Sequence, residues 1–208
     1  MRRLSVLVVL ILVLGVGLVP AASATYTRTY ASGPVNLWFG GEAGYPQTIN
    51  SVITVPSHGT ITDVNVSVVI DHHYVGDIDL MVISEAGSSV VLLQSNCDDD
   101  DDVNATFDDE GSALVCNSTP PAISGNVIPD NSATYHLLSR FDGEDMAGAW
   151  TLVAADNWMP GDDGLLVQWS LTFELAGDEP PPAAFGKVSP PFDQVQEPLQ
   201  PTLSWTES

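Results

Sequence analysis

The sequence has very few basic residues. Its 208 residues include five Lys and Arg against 27 Asp and Glu, which gives a formal net charge of −22 at pH 7. A field of this sign repels nucleic acid and anionic membrane surfaces, so neither is an expected partner. It suits divalent cations or a salty medium, and it equally serves solubility alone. The charge therefore excludes classes of partner without identifying one.

Motifs for hydrolytic catalysis are absent from the sequence. We find no Gly-x-Ser-x-Gly elbow, no His-Glu-x-x-His zinc motif and no subtilisin-type Asp, His and Ser segments. Hydrolysis needs a nucleophile, a base and oxyanion donors that are positioned together. We therefore predict that this chain has no catalytic residues and is not itself an enzyme.

Cysteine is scarce, because only Cys97 and Cys116 occur, on either side of an acidic stretch. In an exported protein such a pair forms a disulfide by default, and two free thiols are the alternative. Closing a loop of about 20 residues would contribute about 3 kcal/mol in the chain-entropy model. A catalytic thiol is not expected, since the surrounding carboxylates would raise its pKa.

Long apolar runs are also lacking, except for one at the N-terminus. Arg2 and Arg3 precede an apolar run over residues 4–19, and small residues follow up to Ala24. This order is typical of a secretory signal peptide, so we predict cleavage after Ala24 and a secreted, extracellular mature chain. A membrane anchor is the alternative, but a spanning helix needs about 20 apolar residues. We expect no membrane span.

Helical periodicity is lacking between residues 36 and 176, where short β-branched runs alternate with turn residues. Residues 78–82 and 90–93 are predicted strands, and another predicted strand places four apolar side chains on one face, namely Val64, Val66, Val68 and Ile70. About 140 residues with about eight strands is the size of a jelly roll. The predicted fold class is all-β, a jelly-roll-like antiparallel β-sandwich.

Two predicted strands near residue 160 have the clearest pattern. Apolar residues alternate from Trp150 to Ala154, and Pro160 and Gly161 indicate a turn after them. In the second strand five large side chains alternate with smaller or polar ones, namely Leu165, Val167, Trp169, Leu171 and Phe173. We predict that the two strands form an antiparallel hairpin and that these five side chains share its buried face.

The same region resembles the end of the P domain, also called the Homo B domain, which accompanies subtilisin-like proprotein convertases and many secreted bacterial proteases. The matching residues are Leu138, Ser139, Phe141, Gly143, Gly148, Trp150, Thr151, Leu152, Asp156, Gly161, Asp162, Gly164, Trp169, Ser170, Leu171 and Phe173. Residues 64–93 resemble that family's strand, its His-Thr-Tyr-x-Gly-Asp-Leu loop and the next strand, and residues 105–112 resemble its Thr-Phe-x-Asp segment. The resemblance implies a jelly roll that stabilises, folds or targets a neighbouring protease.

Composition changes divide the chain further. We predict an N-terminal segment at 25–47, the sandwich domain at 48–176 and a Pro-rich linker at 177–184 whose consecutive prolines favour a stiff, extended spacer. Residues 185–208 resemble the opening strands of a fibronectin type III module. Such a short segment cannot form a seven-stranded sandwich, so we expect either a longer natural chain or a disordered stub.

Aspartates are concentrated in the predicted loops. The run at 98–102 has the rhythm of an EF-hand loop, but Val103 stands where that loop needs Gly and no helices flank it, so we predict a solvated acidic loop. A calcium site is predicted instead from family-like segments, because several P domains bind calcium, and its ligands would be Asp77, Asp79, Asp108, Asp109 and Asp156. The alternative is that these carboxylates accept hydrogen bonds from turn backbone N–H groups.

Histidine and tryptophan supply the remaining candidates. His72 and His73 are neighbours on a strand and point to opposite faces, so we expect a structural or hydrogen-bonding role for His72 rather than a zinc site. Trp158 is a candidate binding residue, and with Trp38 and Tyr74 it could offer an exposed aromatic platform.

These observations predict a non-catalytic accessory module of a secreted protein, associated with proteolysis, whose partner is an adjacent catalytic or adhesive module in a longer polypeptide. This step from fold to function is one of association. The alternative is a cell-surface adhesion or glycan-binding module, since jelly rolls also serve as lectins. A third hypothesis places the catalytic part of a protease beyond Ser208.

Overall fold

The computed structural model describes residues 24–40, 47–130, 137–158, 163–177 and 179–180. The predicted signal peptide, most of the linker and the fibronectin-like segment lie outside the described residues, so those predictions stay predictions. The described strands are β1 Thr25–Ala31, β2 Leu37–Gly40, β3 Thr48–Val55, β4 Ile61–Asp71, β5 Ile78–Ile83, β6 Ser89–Gln94, β7 Val103–Ser112, β8 Ile123–Val127, β9 Gly148–Asp156 and β10 Asp163–Ala176. Short 3-10 turns at Val75–Asp77 and Leu138–Phe141 are the helical elements among these residues. None of the described residues forms a helix with the length and hydrophobicity of a membrane span.

The strands form two sheets that pack as a β-sandwich, which confirms the predicted fold class. One sheet has the order β1-β10-β4-β7-β8, with β2 also paired to β10, and the other has the order β3-β9-β5-β6. One pair departs from the predicted antiparallel arrangement, because β7 and β8 run parallel. After β7 the chain returns past Cys116, whose disulfide to Cys97 holds it near the start of β7, and β8 begins there beside Val103.

Strand β4 behaves as its period of two predicts. Val64, Val66, Val68 and Ile70 are at most 1% exposed, whereas the side chains between them are half-buried on the outer face. The strand lies between β10 and β7, paired with β10 over residues 61–71 and with β7 over residues 66–70, and its inward face is buried in the core. It forms the centre of the six-stranded sheet.

The predicted hairpin is wrong, because β9 and β10 belong to different sheets. β9 pairs with β3 and β5, while β10 pairs with β1, β2 and β4. The rings of Trp150 on β9 and Phe173 on β10 meet across the core, with centroids 5.2 Å apart. An apolar face can be buried against another sheet as well as beside a paired strand, and alternation alone does not distinguish the two arrangements.

The predicted buried face of β10 is wrong at its beginning. A register shift against β4 lies between Leu166 and Gln168, so Leu166 is buried whereas Leu165 and Val167 are only half-buried on the outer face. After this bulge Trp169, Leu171 and Phe173 are buried, as predicted. One extra residue in a strand exchanges the faces of every side chain before it.

Buried aromatic rings form the centre of the core and their polar atoms are satisfied. The indole N–H of Trp169 donates to Ser51 Oγ at 2.8 Å, and that of Trp150 donates to the Met146 carbonyl at 2.9 Å. Phe141 lies edge-on to Trp150, with ring centroids 5.0 Å apart. These hydrogen bonds allow two large indoles to be buried without an unpaired donor.

The segment predicted to precede the sandwich contributes to it. Residues 25–31 form β1 and pair with the last residues of β10, from Ser170 to Ala176. Strand β2 pairs with the first residues of β10 and places the fully buried Phe39 in the core. The six-stranded sheet therefore includes strands that lie before residue 48.

Candidate functional site

His72 is buried at one end of the sandwich, directly after β4, where its ring is held from two sides. Its Nδ1 accepts a hydrogen bond from the Tyr74 N–H at 3.0 Å, so Nε2 carries the proton and faces the carboxylate of Asp156 at 3.4 Å. The His72 N–H donates to Asp102 Oδ1 at 3.0 Å. These contacts give His72 the predicted hydrogen-bonding role, although His72 and His73 follow β4 and do not lie on a strand as expected.

The loop that contains the five consecutive aspartates is fixed along its backbone. The N–H groups of Val75 and Gly76 donate to the carbonyls of Asp100 and Asp98, and the Asp102 N–H donates to the carbonyl of His72. A Cβ placed on Gly76 would lie 2.8 Å from the Cα of Asp98, so only glycine fits this approach. The loop therefore presents its acidic side chains from an ordered backbone.

A disulfide closes the same loop, as predicted. Cys97 and Cys116 are bonded, and their Cα atoms are 5.2 Å apart. The bridge joins the segment before β7 to the segment that returns after it, so it supports both the acidic loop and the parallel β8. The described residues include no free cysteine.

The five carboxylates predicted to bind calcium are divided between the two ends of the sandwich. Asp77 and Asp79 lie at the start of β5 and Asp156 lies opposite Ile78 at the end of β9, near His72. Asp108 and Asp109 lie along β7, at least five residues beyond its start at Val103. At about 3.3 Å per residue this is on the order of 17 Å.

Three of these five carboxylates accept hydrogen bonds from nearby backbone N–H groups, as the alternative reading predicts. Asp109 accepts bonds from the N–H groups of Leu138 and Ser139, both at 2.8 Å, and Asp108 accepts one from Glu110. Asp156 Oδ1 accepts one from Trp158 at 2.9 Å. Among the described ranges no three Asp, Glu, His or Cys side chains are arranged to hold a metal ion, so the five do not fit one calcium site. Calcium binding stays a prediction.

Carboxylates crowd together at the end that contains Asp108. Burial, followed by the neighbouring charge of Asp108, raises the pKa of Asp63 above its ordinary value. Burial and then the charge of Asp109 raise the pKa of Asp142, and a hydrogen bond to Asp108 raises that of Glu110. Repulsion between these groups opposes their ionisation, so this end of the domain favours protons or other cations.

The predicted aromatic platform lies at the opposite end, around His72. Trp158 follows β9 and is 62% exposed, Trp38 on β2 is 45% exposed, and Tyr74 lies between β4 and β5. β9 and β4 end at this edge while β5 and β10 begin there, so the fold gathers three aromatic side chains from separate parts of the sequence.

One contact was not foreseen from the sequence, which indicates no role for His58. Its Nδ1 lies 2.6 Å from Asp145 Oδ2, and Asp145 also accepts bonds from the N–H groups of Gly59 and Ala147. The hydrogen bond from His58 and the two backbone donors lower the pKa of Asp145 to about 2. The isolated positions of these residues in the sequence give no signal of a pair formed between two loops.

The two outer faces of the sandwich differ in chemistry. On the four-stranded sheet, five aliphatic residues occupy two neighbouring cross-strand rows that also contain Asn50, Thr151 and Ser89, and we call the five the aliphatic face: Val52, Met81, Ile83, Val91 and Val153. Val52 is 53% exposed and the other four are half-buried. The outer face of the other sheet is mixed: Ser67 is bonded to Thr106 and Thr29 to Thr172 across its strands, while Trp38, Val69, Leu165 and Val167 lie towards the His72 end.

Comparison with known proteins identifies the family of this chain. The structure is similar to crystal structures of a serine protease of Aeromonas sobria, free and with a chaperone, at 14% sequence identity and TM-scores of 0.44 and 0.45. The chain is covered over 73% and 74% of its length but spans only 27% of those chains. No curated protein sequence matches it. A family model, the proprotein convertase P-domain, matches residues 61–173, which is more than half of the chain. The chain therefore belongs to the proprotein convertase P-domain family, a non-catalytic module of proteases.

Proposed function

We propose that this chain is the accessory module of an exported serine protease and stabilises or targets the catalytic domain. Besides family membership, the observation that carries the proposal is the aliphatic face on the outer side of the four-stranded sheet. Val153, Met81 and Val91 are directly adjacent in one row, with Val52 and Ile83 on either side of the uncharged Thr151 in the next, and clustered apolar side chains of this kind are often covered by another surface.

The composition of this face suits a lasting contact between domains. On the four described strands of this sheet, β3, β5, β6 and β9, Asp79 is the only charged side chain at an outward position. This scarcity of charge contrasts with the net charge of −22 on the whole chain. Obligate interfaces resemble a hydrophobic core cut in half, and they avoid charge at the centre. Complete burial of a valine side chain contributes about 1.5–3 kcal/mol. Because Val52 is 53% exposed, covering it with a partner would contribute part of that free energy to binding.

The catalytic domain can be sought directly in the source organism. The native protein would be isolated from culture medium with an antibody against residues 61–173, and its mass and peptidase activity measured with and without diisopropyl fluorophosphate. We expect a larger polypeptide or a stable complex whose peptidase activity the inhibitor abolishes. A free chain of the encoded size, without an associated peptidase, contradicts the proposal.

The aliphatic face can be tested in the same preparation. We expect Val52→Glu to reduce the heat stability of the peptidase activity, because a carboxylate would have to be buried against the catalytic domain. Val115→Glu is the control, since Val115 is, like Val52, more than half exposed and lies outside the four-stranded sheet. Equal losses in the two variants would show that the aliphatic face has no special role.

A second function is favoured by the exposed aromatic side chains at the His72 end. Trp38, Tyr74 and Trp158 are 45%, 36% and 62% exposed, and aromatic rings in such positions can stack on sugar rings. If the domain is an adhesion module, the purified chain should bind cell-wall polysaccharide and Trp158→Ala should abolish that binding. Absence of binding by the unmodified chain removes this candidate.

A further inference from the structure

A cavity of about 200 Å³ opens on the outer face of the six-stranded sheet, beside the buried His72. Its lining is Trp38, Asp71, His72, His73, Asp102, Asp163 and Leu165. Three strands build it, because Trp38 on β2 is paired with Leu165 on β10, and Leu165 is paired with Asp71 on β4. Directly opposed residues point to the same face of a sheet, so these three side chains stand in one row.

The cavity combines an apolar surface with negative charge. Leu165 lies at the middle of the row, with the indole of Trp38 on one side and the carboxylate of Asp71 on the other. Asp163 precedes Leu165 by two positions on the same strand and therefore the same face. Asp102 is fixed beside them, since its carboxylate accepts the His72 N–H and its own N–H donates to the His72 carbonyl.

No lysine or arginine offsets the three carboxylates in the part of the chain that the structure describes, and the other basic group in the lining, the exposed His73, lies 3.9 Å from Asp101 outside the row. The arginines there are Arg28 and Arg140, of which Arg28 pairs with Glu179 and neither lines the cavity. A neutral sugar can donate hydrogen bonds to these carboxylates but gains no Coulomb attraction from three unneutralised charges, whereas a cation gains that attraction and also the face of the indole.

We propose that this cavity binds a lysine or arginine side chain of a partner polypeptide. The aliphatic stem of such a side chain packs on Leu165 and Trp38, and its cationic head reaches Asp71, Asp102 and Asp163. Long basic side chains have this division between an apolar stem and a charged end. The site is distinct from the aliphatic face, which lies on the other sheet, and the proposal does not depend on the function of that face.

The test is a titration of the purified full chain followed by NMR at the indole N–H of Trp38, whose signal is assigned from Trp38→Phe. The probes are Ac-Gly-Lys-Gly-NH2 and Ac-Gly-Arg-Gly-NH2, with the norleucine peptide as the apolar analogue and cellotetraose as a neutral sugar. We expect saturable binding of both basic peptides, at least about tenfold tighter than that of the norleucine peptide, and weaker binding at high salt. Equal affinity for norleucine, binding of the sugar alone or no saturable shift overturns the proposal.

Variants separate local charge from the charge of the whole protein. The double substitution Asp71→Asn and Asp163→Asn should reduce affinity for the basic peptides to that for norleucine. The matched control, Asp98→Asn and Asp99→Asn, removes the same charge from two exposed aspartates outside the cavity and should change affinity by less than about twofold. Similar losses in both doubles would mean a diffuse electrostatic effect, which also overturns the proposal. The comparison of lysine with norleucine on the unmodified chain needs no variant, so it stands even if a variant folds poorly.

Discussion

Replacement of Gly164 by alanine should destabilise the domain by forcing apart the two rings that pack beneath β10. A Cβ in ideal geometry on Gly164 would lie 2.6 Å from His72 Cδ2 and 2.7 Å from Phe39 Cζ. Cβ atoms essentially never approach other heavy atoms closer than 3.0 Å, so at least one ring has to move.

Neither ring can move cheaply. Phe39 is fully buried, and His72 is 2% exposed and held through Tyr74, Asp102 and Asp156. Overpacking of this kind costs about 1–3 kcal/mol, whereas alanine gains about 0.5–1 kcal/mol over glycine in a strand. Because the new methyl group meets two buried rings, we expect the upper half of the overpacking range and a net loss of about 1–2.5 kcal/mol, which for a domain of this size lowers Tm by about 2–10 °C.

The assay is thermal and urea unfolding of Gly164→Ala beside the unmodified chain, followed by circular dichroism. A second variant identifies the cause, because Phe39→Leu removes the ring atoms that the new methyl group meets. Gly164→Ala should therefore cost less in the Phe39→Leu background than alone, a departure from additivity expected for residues in contact. A Gly164→Ala chain as stable as the original, or strict additivity of the two changes, would refute the reasoning.

Four further outcomes are expected. Replacing both cysteines with serine should lower the free energy of unfolding by about 3 kcal/mol, and an unchanged urea midpoint would contradict this. Ser51→Ala should cost about 1–3 kcal/mol, because it leaves the buried Trp169 N–H without an acceptor, whereas Thr54→Ala on the exposed face of the same strand should cost little in the same unfolding assay. The pKa of Asp145 is lowered from 3.8 to about 2, so its stabilising contribution is complete above pH 3.8 and is lost as the pH falls towards 2; Asp145→Asn should flatten the dependence of Tm on pH in that window. If calcium stabilises the domain, EDTA should lower Tm and added calcium restore it, and an identical melt removes the calcium prediction.

Much of the fold can be predicted from the sequence because local alternation and turn residues carry it. The period of two in β4 correctly predicts that alternate residues from Val64 to Ile70 are buried in the core. The two cysteines form the disulfide that an exported setting predicts. The family motifs identify the module, and the family match at 61–173 confirms them. The hydrogen-bonding role predicted for His72 is confirmed, but the strand argument behind it is not, because β4 ends at Asp71.

The pairing of strands was decided by tertiary structure alone. Alternation in β9 and β10 shows that each strand has one apolar face. Such a face can be buried against the opposite sheet whether or not the two strands pair with each other, and the hairpin prediction was wrong for that reason. The bulge after Leu166 places Leu165 and Val167 on the outer face instead of the predicted inner face. No residue type at this point in the sequence indicates a bulge. Once turned outward, Leu165 joins Trp38 and Asp71, which lie far apart in the chain, in the row that lines the proposed cation cavity. The sequence by itself determined the fold class and the family, since these depend on local pattern, whereas the disulfide was predicted from the exported setting. The sites depend on register between distant strands, which only the packed sandwich sets.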